Sequence, residues 1–209
     1  MATAVERHGM SAADERPESA LSLAAAADLL SEAHPGFRVE IIGGQILVSP
    51  PADGLHARAL TRLMAPFLTA GPIGEGFEVL QAVGLWLPTG AEDYAIPDLA
   101  IVDADFYEHR VGKNCYDPVV FRLVLEVTSS NYRTDLRTKV AAYADAQVPV
   151  YVIVDRKHDR LHVLTEPEGS DYASHEIHPR GQLVALPDSI GAKVTLDVTA
   201  LLDAATLGE

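Results

Sequence analysis

Two acidic residues stand beside apolar, strand-forming runs. Asp98 follows Pro97 and precedes LAIV, whereas Glu126 follows FRLVL and precedes Val127. An ionised carboxylate within a buried strand is costly unless another group pairs with it. The two residues are 28 positions apart, so they can come from neighbouring strands. If their side chains converge, the oxygens form a site suited to Mg²⁺ or Mn²⁺, where a metal could bind phosphate and lower the pKa of a bound water.

Ordinary structural roles are also open for both carboxylates. Asp98 could cap the start of a strand or turn. Glu126 could pair with a nearby arginine at a strand end. Spacing alone does not choose between these roles and a metal site, because short motif matches also occur by chance.

Lys139 is the third candidate, in the segment DLRTKVAAYADA, for which we predict a helix that Asp135 opens. At about 100° per residue, Lys139 lies at the edge of the helix's apolar stripe. Its stem could cover apolar surface while its ammonium points into a crevice beside the sheet, orienting water or stabilising charge on a phosphate. Taken alone, the pattern favours a simpler interpretation, an exposed i,i+4 pair with Asp135. The stripe consists of Leu136, Val140, Tyr143 and Ala144.

Helices and strands that would carry these residues follow one another along the chain. Ser22 can cap a helix over LAAAADLLSEA, and Asp53 can cap a second one before Gly71-Pro72. Between them, RVEII and QILVS flank Gly43-Gly44, which is typical of a β-hairpin. The second helix has an apolar stripe at helical spacing, formed by Leu60, Leu63, Met64 and Phe67.

The rest of the chain is rich in strands. FRLVLEV is apolar at nearly every position, as expected for a central strand covered on both faces. Asp197 can cap a short last helix. We therefore predict an α/β fold with one domain over residues 20–209 and a flexible tail over residues 1–19. The other predicted strands are FEVLQAVGLWL, PDLAIVD, VPVYVIVD, RLHVL, and shorter ones around SHEIH, QLVAL and AKVTL.

Composition limits the function classes. The 48% hydrophobic content is that of a globular protein, and one cysteine allows neither an internal disulfide nor a cysteine-built zinc site. No apolar run is long enough for a signal peptide or membrane span, so we expect a cytoplasmic protein without a membrane partner. The net charge of −14 should repel nucleic acid at long range, so we expect free duplex DNA to bind weakly.

An ordered set of motifs over about residues 20–165 resembles the Uma-two family of restriction-endonuclease-like proteins. No single motif is specific, but their order and spacing are. The set comprises VEIIGG from Val39, His56, Pro97-Asp98, Glu126-Val127, Ser129, Asp135, Lys139, Tyr143, and VYVIVD from Val150 to Asp155.

The resemblance implies a PD-(D/E)XK nuclease fold, with a mixed central β-sheet flanked by helices and extra β-hairpins. It also implies Mg²⁺- or Mn²⁺-dependent cleavage of DNA, with Asp98 and Glu126 as metal ligands assisted by the backbone carbonyl of Val127. The lysine position of the E-x-K motif holds Thr128, so Lys139 would replace that lysine from the following helix. Tyr143 belongs to the same pattern as a supporting residue.

Four further residues have weaker assignments. Glu40 would add an acidic group near the metal, or face outward from its strand. His56, in the first turn of its helix, could reach a phosphate or polarise a water, or could be a satisfied surface or packing residue. Arg133 and Arg137 could contact a phosphate backbone, although solvated arginines are common. His175 and His178 lack a nearby third ligand for zinc.

Three functions remain open. The leading one is a metal-dependent endonuclease that hydrolyses DNA phosphodiesters. The second is a non-catalytic protein of the same fold that acts as a binding or dimeric interaction module, which the acidic charge and the missing E-x-K lysine favour. The third is a metal-dependent hydrolase of a small phosphorylated substrate, which would tolerate an acidic surface better.

Overall fold

The computed structural model describes residues 21–71, 75–128 and 134–206, without the side chains of 134 and 135. The predicted tail over residues 1–19 lies outside these ranges. Within them the helices are α1 (Leu23–Ala33), α2 (Gly54–Thr69), α3 (Lys139–Asp145) and α4 (Val198–Ala205). The strands are β1 (Arg38–Ile42), β2 (Gln45–Ser49), β3 (Phe77–Gln81), β4 (Gly84–Trp86), β5 (Tyr94–Ala95), β6 (Leu99–Asp103), β7 (Arg110–Gly112), β8 (Cys115–Tyr116), β9 (Phe121–Val127), β10 (Val150–Asp155), β11 (Arg160–Glu168), β12 (Asp171–Pro179), β13 (Leu183–Ala185) and β14 (Thr195–Asp197).

The strands that carry the two carboxylates are neighbours in a mixed six-stranded sheet, ordered β12-β11-β10-β9-β6-β3. β9 pairs antiparallel with β6, where Leu99 lies opposite Leu125, and parallel with β10, where Glu126 lies beside Ile153. Six of the seven β9 residues are buried, which explains their continuous apolar character. The prediction of a central, doubly covered strand is confirmed.

Helices cover this sheet on both faces. On one face, α2 packs against β9, and α4 packs against α2 and β11 in the same core as Leu123 and Leu125. On the other, α3 places Tyr143 against Val124 and Ile153. Because side chains alternate along a strand, Glu126 shares the α3 face with Val124. The structure therefore has the α/β architecture predicted from the sequence.

The extra strands form a second six-stranded sheet, ordered β2-β1-β5-β4-β8-β7, where the sequence predicted only added hairpins. The β1–β2 hairpin has its predicted turn, with φ of 59° at Gly43 and 70° at Gly44. FEVLQAVGLWL is not one strand but β3 and β4, in different sheets. The chain turns between them at Ala82, whose φ is 51°, and any Cβ at Gly84 would lie 2.5 Å from Cys115 Sγ.

Capping side chains begin three helices at the predicted places. Ser22, Asp53 and Asp197 accept hydrogen bonds from the backbone N–H groups of Ala25, His56 and Ala200. The helix predicted from Asp135 differs, because Thr134–Thr138 form a π-helical turn and the α-helix begins at Lys139. The late strands around SHEIH, QLVAL and AKVTL are present as β12, β13 and β14.

Among the helices within residues 21–71, 75–128 and 134–206, none has both the length and the apolar character that crossing a membrane requires.

Candidate active site

Asp98 lies immediately before β6 and is 3% exposed. Its Oδ2 accepts a hydrogen bond of 2.8 Å from the backbone N–H of Val127, which ties the start of β6 to the end of β9. Its Oδ1 accepts one of 2.5 Å from Arg38 Nη2. Burial acts to raise the pKa of Asp98, but the contact with His56, the charge of Arg38 and the Val127 N–H outweigh it, so the pKa lies well below its usual range.

Glu126 projects from β9 toward α3 and is 2% exposed. Its Oε1 accepts hydrogen bonds from Lys139 Nζ at 2.7 Å and from the Tyr143 hydroxyl at 2.8 Å. Its Oε2 lies 3.7 Å from Arg38 Nη1. Arg38 therefore reaches both Asp98 and Glu126, and the two carboxylates converge as the sequence predicted.

Glu40 belongs to the same cluster, although it comes from the second sheet. It is 1% exposed, so the alternative of an outward-facing strand residue is wrong. Its Oε1 accepts a hydrogen bond of 2.7 Å from the Ile96 N–H and lies 3.2 Å from Lys139 Nζ. The hydrogen bond to Ile96 places Glu40 next to the segment that leads into Asp98.

Lys139 lies between two carboxylates and is 4% exposed. The simpler interpretation, an exposed lysine paired only with Asp135, is wrong because its ammonium contacts Glu126 and Glu40. Lys139 is the first residue of α3, directly after the π-helical turn, and such turns are frequent at functional sites. The π-helical turn and the first residue of α3 therefore place the Lys139 ammonium against Glu126 on β9.

Thr128 stands at the lysine position of the E-x-K motif, and it forms backbone hydrogen bonds instead of supplying a cation. The side chain is 1% exposed, and its hydroxyl donates to the Val154 carbonyl and accepts from the Arg156 N–H. Thr128 thus joins the end of β9 to the end of β10. Lys139 reaches Glu126 from the facing helix instead.

Tyr143 and Val127 hold the carboxylates in place. Burial and the nearby Glu126 raise the pKa of Tyr143 well above its ordinary value, so its hydroxyl stays protonated and donates to Glu126. The contact observed for Val127 is its N–H bond to Asp98. Its predicted role, a carbonyl ligand to a metal, stays a prediction.

His56 lies in the first turn of α2 and is 6% exposed, so the interpretation as a surface residue is wrong. Its Nε2 is 3.1 Å from Asp98 Oδ2. This contact does not meet the geometric requirements of a hydrogen bond. His56 therefore neighbours the first carboxylate and is placed to influence its charge.

Arg38 is the site residue that the sequence analysis missed. It is two residues before Glu40 on β1, and alternation places both side chains on one face of the strand. Burial acts to lower the pKa of Arg38, but Asp98, Glu126 and Glu40 outweigh it and raise the pKa above its usual value. The alternation of RVEII with Glu40 was the signal that could have identified Arg38.

Of the two predicted nucleic-acid-binding arginines, the structure describes Arg137. Arg137 is exposed and lines a cavity of ≈ 330 Å³ together with Val140, Ile153 and His175. Arg133 lies outside the described residues. The phosphate contacts proposed for both stay predictions.

His175 pairs with a histidine that the sequence analysis did not single out. His162 Nδ1 lies 2.9 Å from His175 Nε2, and burial lowers the pKa of both rings. His178 instead contacts Gln182 through Nδ1. Within residues 21–71, 75–128 and 134–206, no group of three or more His, Cys, Asp or Glu side chains has the arrangement of a metal site.

The donor chemistry of the cluster nevertheless fits a hard divalent cation. Asp98 and Glu126 each direct one oxygen at Arg38, whereas their other oxygens accept hydrogen bonds from Val127, Lys139 and Tyr143. Carboxylate oxygens are the ligands that Mg²⁺ and Mn²⁺ prefer. Asp98 and Glu126 would hold such an ion between them, at the place that the Arg38 guanidinium reaches.

The fold and this buried cluster define a restriction-endonuclease-like α/β protein. The chain belongs to the Uma2 (Uma-two) family, whose model, described as "Putative restriction endonuclease", matches residues 25–199. It is also similar in fold to the crystal structure of a "putative nuclease belonging to DUF820" from Anabaena variabilis, with 12% identity, a TM-score of 0.61, and coverage of 80% of this chain and 91% of that one. A search of proteins with curated functions finds no match.

Proposed function

We propose that this protein is a divalent-metal-dependent nuclease that hydrolyses phosphodiester bonds of DNA at the cluster of Asp98, Glu126 and Lys139. Family membership and fold support a nuclease. The observation that carries the proposal is the convergence of Asp98 and Glu126, on adjacent strands, with the Lys139 ammonium 2.7 Å from Glu126. Buried acidic groups with a nearby cation are a costly arrangement that is typical of functional sites.

Each residue has a defined task in this proposal. Asp98 and Glu126 would hold the ion, which when bound supplies a Lewis acid for phosphate oxygens and lowers the pKa of a water. The Val127 N–H and the Tyr143 hydroxyl fix the orientation of these carboxylates. Lys139, held between Glu126 and Glu40, would stabilise negative charge that develops on the phosphate. His56 would modulate the charge of Asp98 at 3.1 Å.

Cleavage of supercoiled and single-stranded circular DNA in Mg²⁺ and in Mn²⁺ tests the proposal. The wild type should cut at least one form, whereas Asp98→Asn and Glu126→Gln should show only background, because both changes keep shape and remove charge. Asp103→Asn is the matched control, since it removes a carboxylate at the far end of β6 that pairs with Arg122. Equal activity of the Asp98 and Asp103 variants would contradict the proposal.

One observation favours a second candidate function. In the part of the chain that the structure describes, Arg38 and Lys139 place two cations against three carboxylates, Glu40, Asp98 and Glu126, which nearly balances their charge without any metal. Such an ionic network suits a non-catalytic binding or dimeric interaction module of this fold. No cleavage of DNA by the wild type in any metal would favour that module. Cleavage of a small phosphate ester but not of DNA would favour a hydrolase of small substrates.

A further inference from the structure

Arg38 is the most accessible charged group of the ionic cluster, with a side chain 24% exposed against 2–4% for Asp98, Glu126, Glu40 and Lys139. Its two terminal nitrogens reach different carboxylates, Asp98 Oδ1 at 2.5 Å and Glu126 Oε2 at 3.7 Å. The guanidinium thus spans the space between the two carboxylates.

The remaining carboxylate oxygens already accept hydrogen bonds. Asp98 Oδ2 accepts from the Val127 N–H, and Glu126 Oε1 accepts from Lys139 and Tyr143. An ion shared by Asp98 and Glu126 would compete with Arg38 for the oxygens that the guanidinium contacts, Oδ1 of Asp98 and Oε2 of Glu126. Arg38 Nη2 already lies 2.5 Å from Oδ1, within the range of about 2.0–2.6 Å at which a coordinated ion would also lie.

The charges of the cluster also indicate that Arg38 and a divalent ion would compete. Among the described side chains, the three carboxylates carry −3 and Arg38 and Lys139 carry +2, a formal charge of −1 (−3 + 2). A divalent ion added beside both cations would give an excess of positive charge in a buried place, where repulsion is strong. Lys139 is enclosed by α3 and the sheet, whereas Arg38 has a path to solvent.

We propose that Arg38 is a positioning residue that competes with the divalent cation: it holds Asp98 and Glu126 together until the ion binds, and the ion displaces its guanidinium from Asp98. The inference rests on the metal site of the proposed function. In this arrangement the affinity for the divalent ion is reduced, because each binding event must break the Arg38–Asp98 ion pair. Metal affinity in the wild type is correspondingly weak.

Titration calorimetry with MnCl₂ at low ionic strength, on the full chain, tests this proposal. Arg38→Met should bind Mn²⁺ at least about tenfold tighter than the wild type, since a close competing charge is removed. Arg122→Met is the matched control: Arg122 is 28% exposed, lies on β9 and pairs with Asp103 at 2.5 Å. That variant loses the same charge away from the site, and its Mn²⁺ affinity should stay within about twofold of the wild type.

Thermal unfolding supplies a second readout. In EDTA, Arg38→Met should melt below the wild type, because Asp98 and Glu126 lose their shared cation. Mn²⁺ should raise its melting temperature more than that of the wild type, since tighter binding to the folded state gives a larger shift. If Arg38→Met does not fold, Arg38→Gln removes the charge and keeps an amide donor for Asp98.

The outcomes separate the two proposals. Wild-type binding of Mn²⁺ with unchanged affinity in Arg38→Met and Arg38→Gln would overturn the role of Arg38 and leave the metal site standing. Absence of Mn²⁺ binding in the wild type and in all Arg38 variants would overturn both. Tighter binding in the Arg38 variants, with Arg122→Met unchanged, would support both.

Discussion

At Asp98, one carboxylate joins three parts of the molecule. It contacts β1 through Arg38, α2 through His56 and β9 through the Val127 N–H. These contacts favour the ionised form strongly enough to outweigh burial, so the pKa of Asp98 is depressed. A group whose pKa is lower in the folded than in the unfolded state stabilises the fold above its unfolded pKa, and that stability is lost as pH falls through the folded pKa.

Because the pKa of Asp98 is lowered in the folded state, the effect of Asp98→Asn on stability should depend on pH. At neutral pH the variant should be less stable than the wild type, because Arg38 loses its charged partner. The difference should shrink as pH falls below about 4, the pKa of an unfolded aspartate, since the wild type then loses the same contribution. Urea denaturation between pH 7 and pH 3 measures the free energies of unfolding.

Asp28→Asn is the control for that pH series. Asp28 is 62% exposed and pairs with Lys113 on the surface, where an ion pair contributes little. Its stability should follow that of the wild type at each pH. A constant difference between Asp98→Asn and the wild type from pH 7 to pH 3 would contradict the depressed pKa of Asp98.

The sequence identified most residues of the cluster individually but not all of their contacts. Asp98 and Glu126 could be predicted because a charge next to LAIV or within FRLVLEV needs a partner. Arg38 could not be predicted as that partner, since it lies 60 residues from Asp98 in the chain. The pairing depends on how the second sheet lies over the first, which local patterns do not encode.

Among the elements, the π-helical turn before α3 matters most for the site. The stripe of DLRTKVAAYADA predicted correctly that this segment packs on the sheet, because the apolar spacing is helical. The spacing could not show that the helix begins only at Lys139 or that its first side chain points inward. The division of FEVLQAVGLWL into β3 and β4 was likewise hidden, since both halves have the same strand-forming composition.

Lys139→Met tests how α3 is held to β9 and β1. Removing the ammonium leaves Glu126 and Glu40 buried without it, and loss of one partner of a buried ion pair typically costs about 3–5 kcal/mol. Denaturant unfolding at pH 7 should show a loss of that size. DNA cleavage by the folded fraction should also fall severely, because Lys139 supplies positive charge near the phosphate.

Lys113→Met provides the comparison for α3. Lys113 pairs with Asp28 at 2.7 Å, but both side chains are partly exposed, so its loss should cost no more than about 1 kcal/mol. If the two lysine variants lost the same stability, Lys139 would be an ordinary surface partner after all.

For the whole molecule, the net charge of −14 should repel DNA, whereas a metal ion bound at the acidic cluster should attract its phosphates. Few lysines and arginines are present to release counterions, whereas a bound divalent cation would attract phosphate only locally. We therefore expect weak binding of duplex DNA, strengthened by metal.

The sequence predicted the α/β class and the neighbouring strands of the site, but its composition could not indicate the second sheet, because hairpins and sheets share the same strand signals.

The salt dependence of DNA binding measures how many phosphates the surface contacts. Fluorescence anisotropy with a labelled duplex in Ca²⁺ should give a slope of log K against log salt no steeper than about −3, corresponding to about three phosphate contacts. Arg137→Gln should make the slope shallower by about one. Tight metal-free binding with a steep slope would show that a basic face exists despite the net charge.

In the proposed mechanism, Asp98 and Glu126 jointly hold one divalent cation. The most direct test is a crystal structure of the wild type soaked in MnCl₂, with an anomalous difference map collected to locate manganese. We predict a peak within about 2.6 Å of one oxygen from each carboxylate, with the Arg38 guanidinium withdrawn from Asp98. A map with no peak there at saturating Mn²⁺, and with Arg38 still bound to Asp98, would contradict the claim.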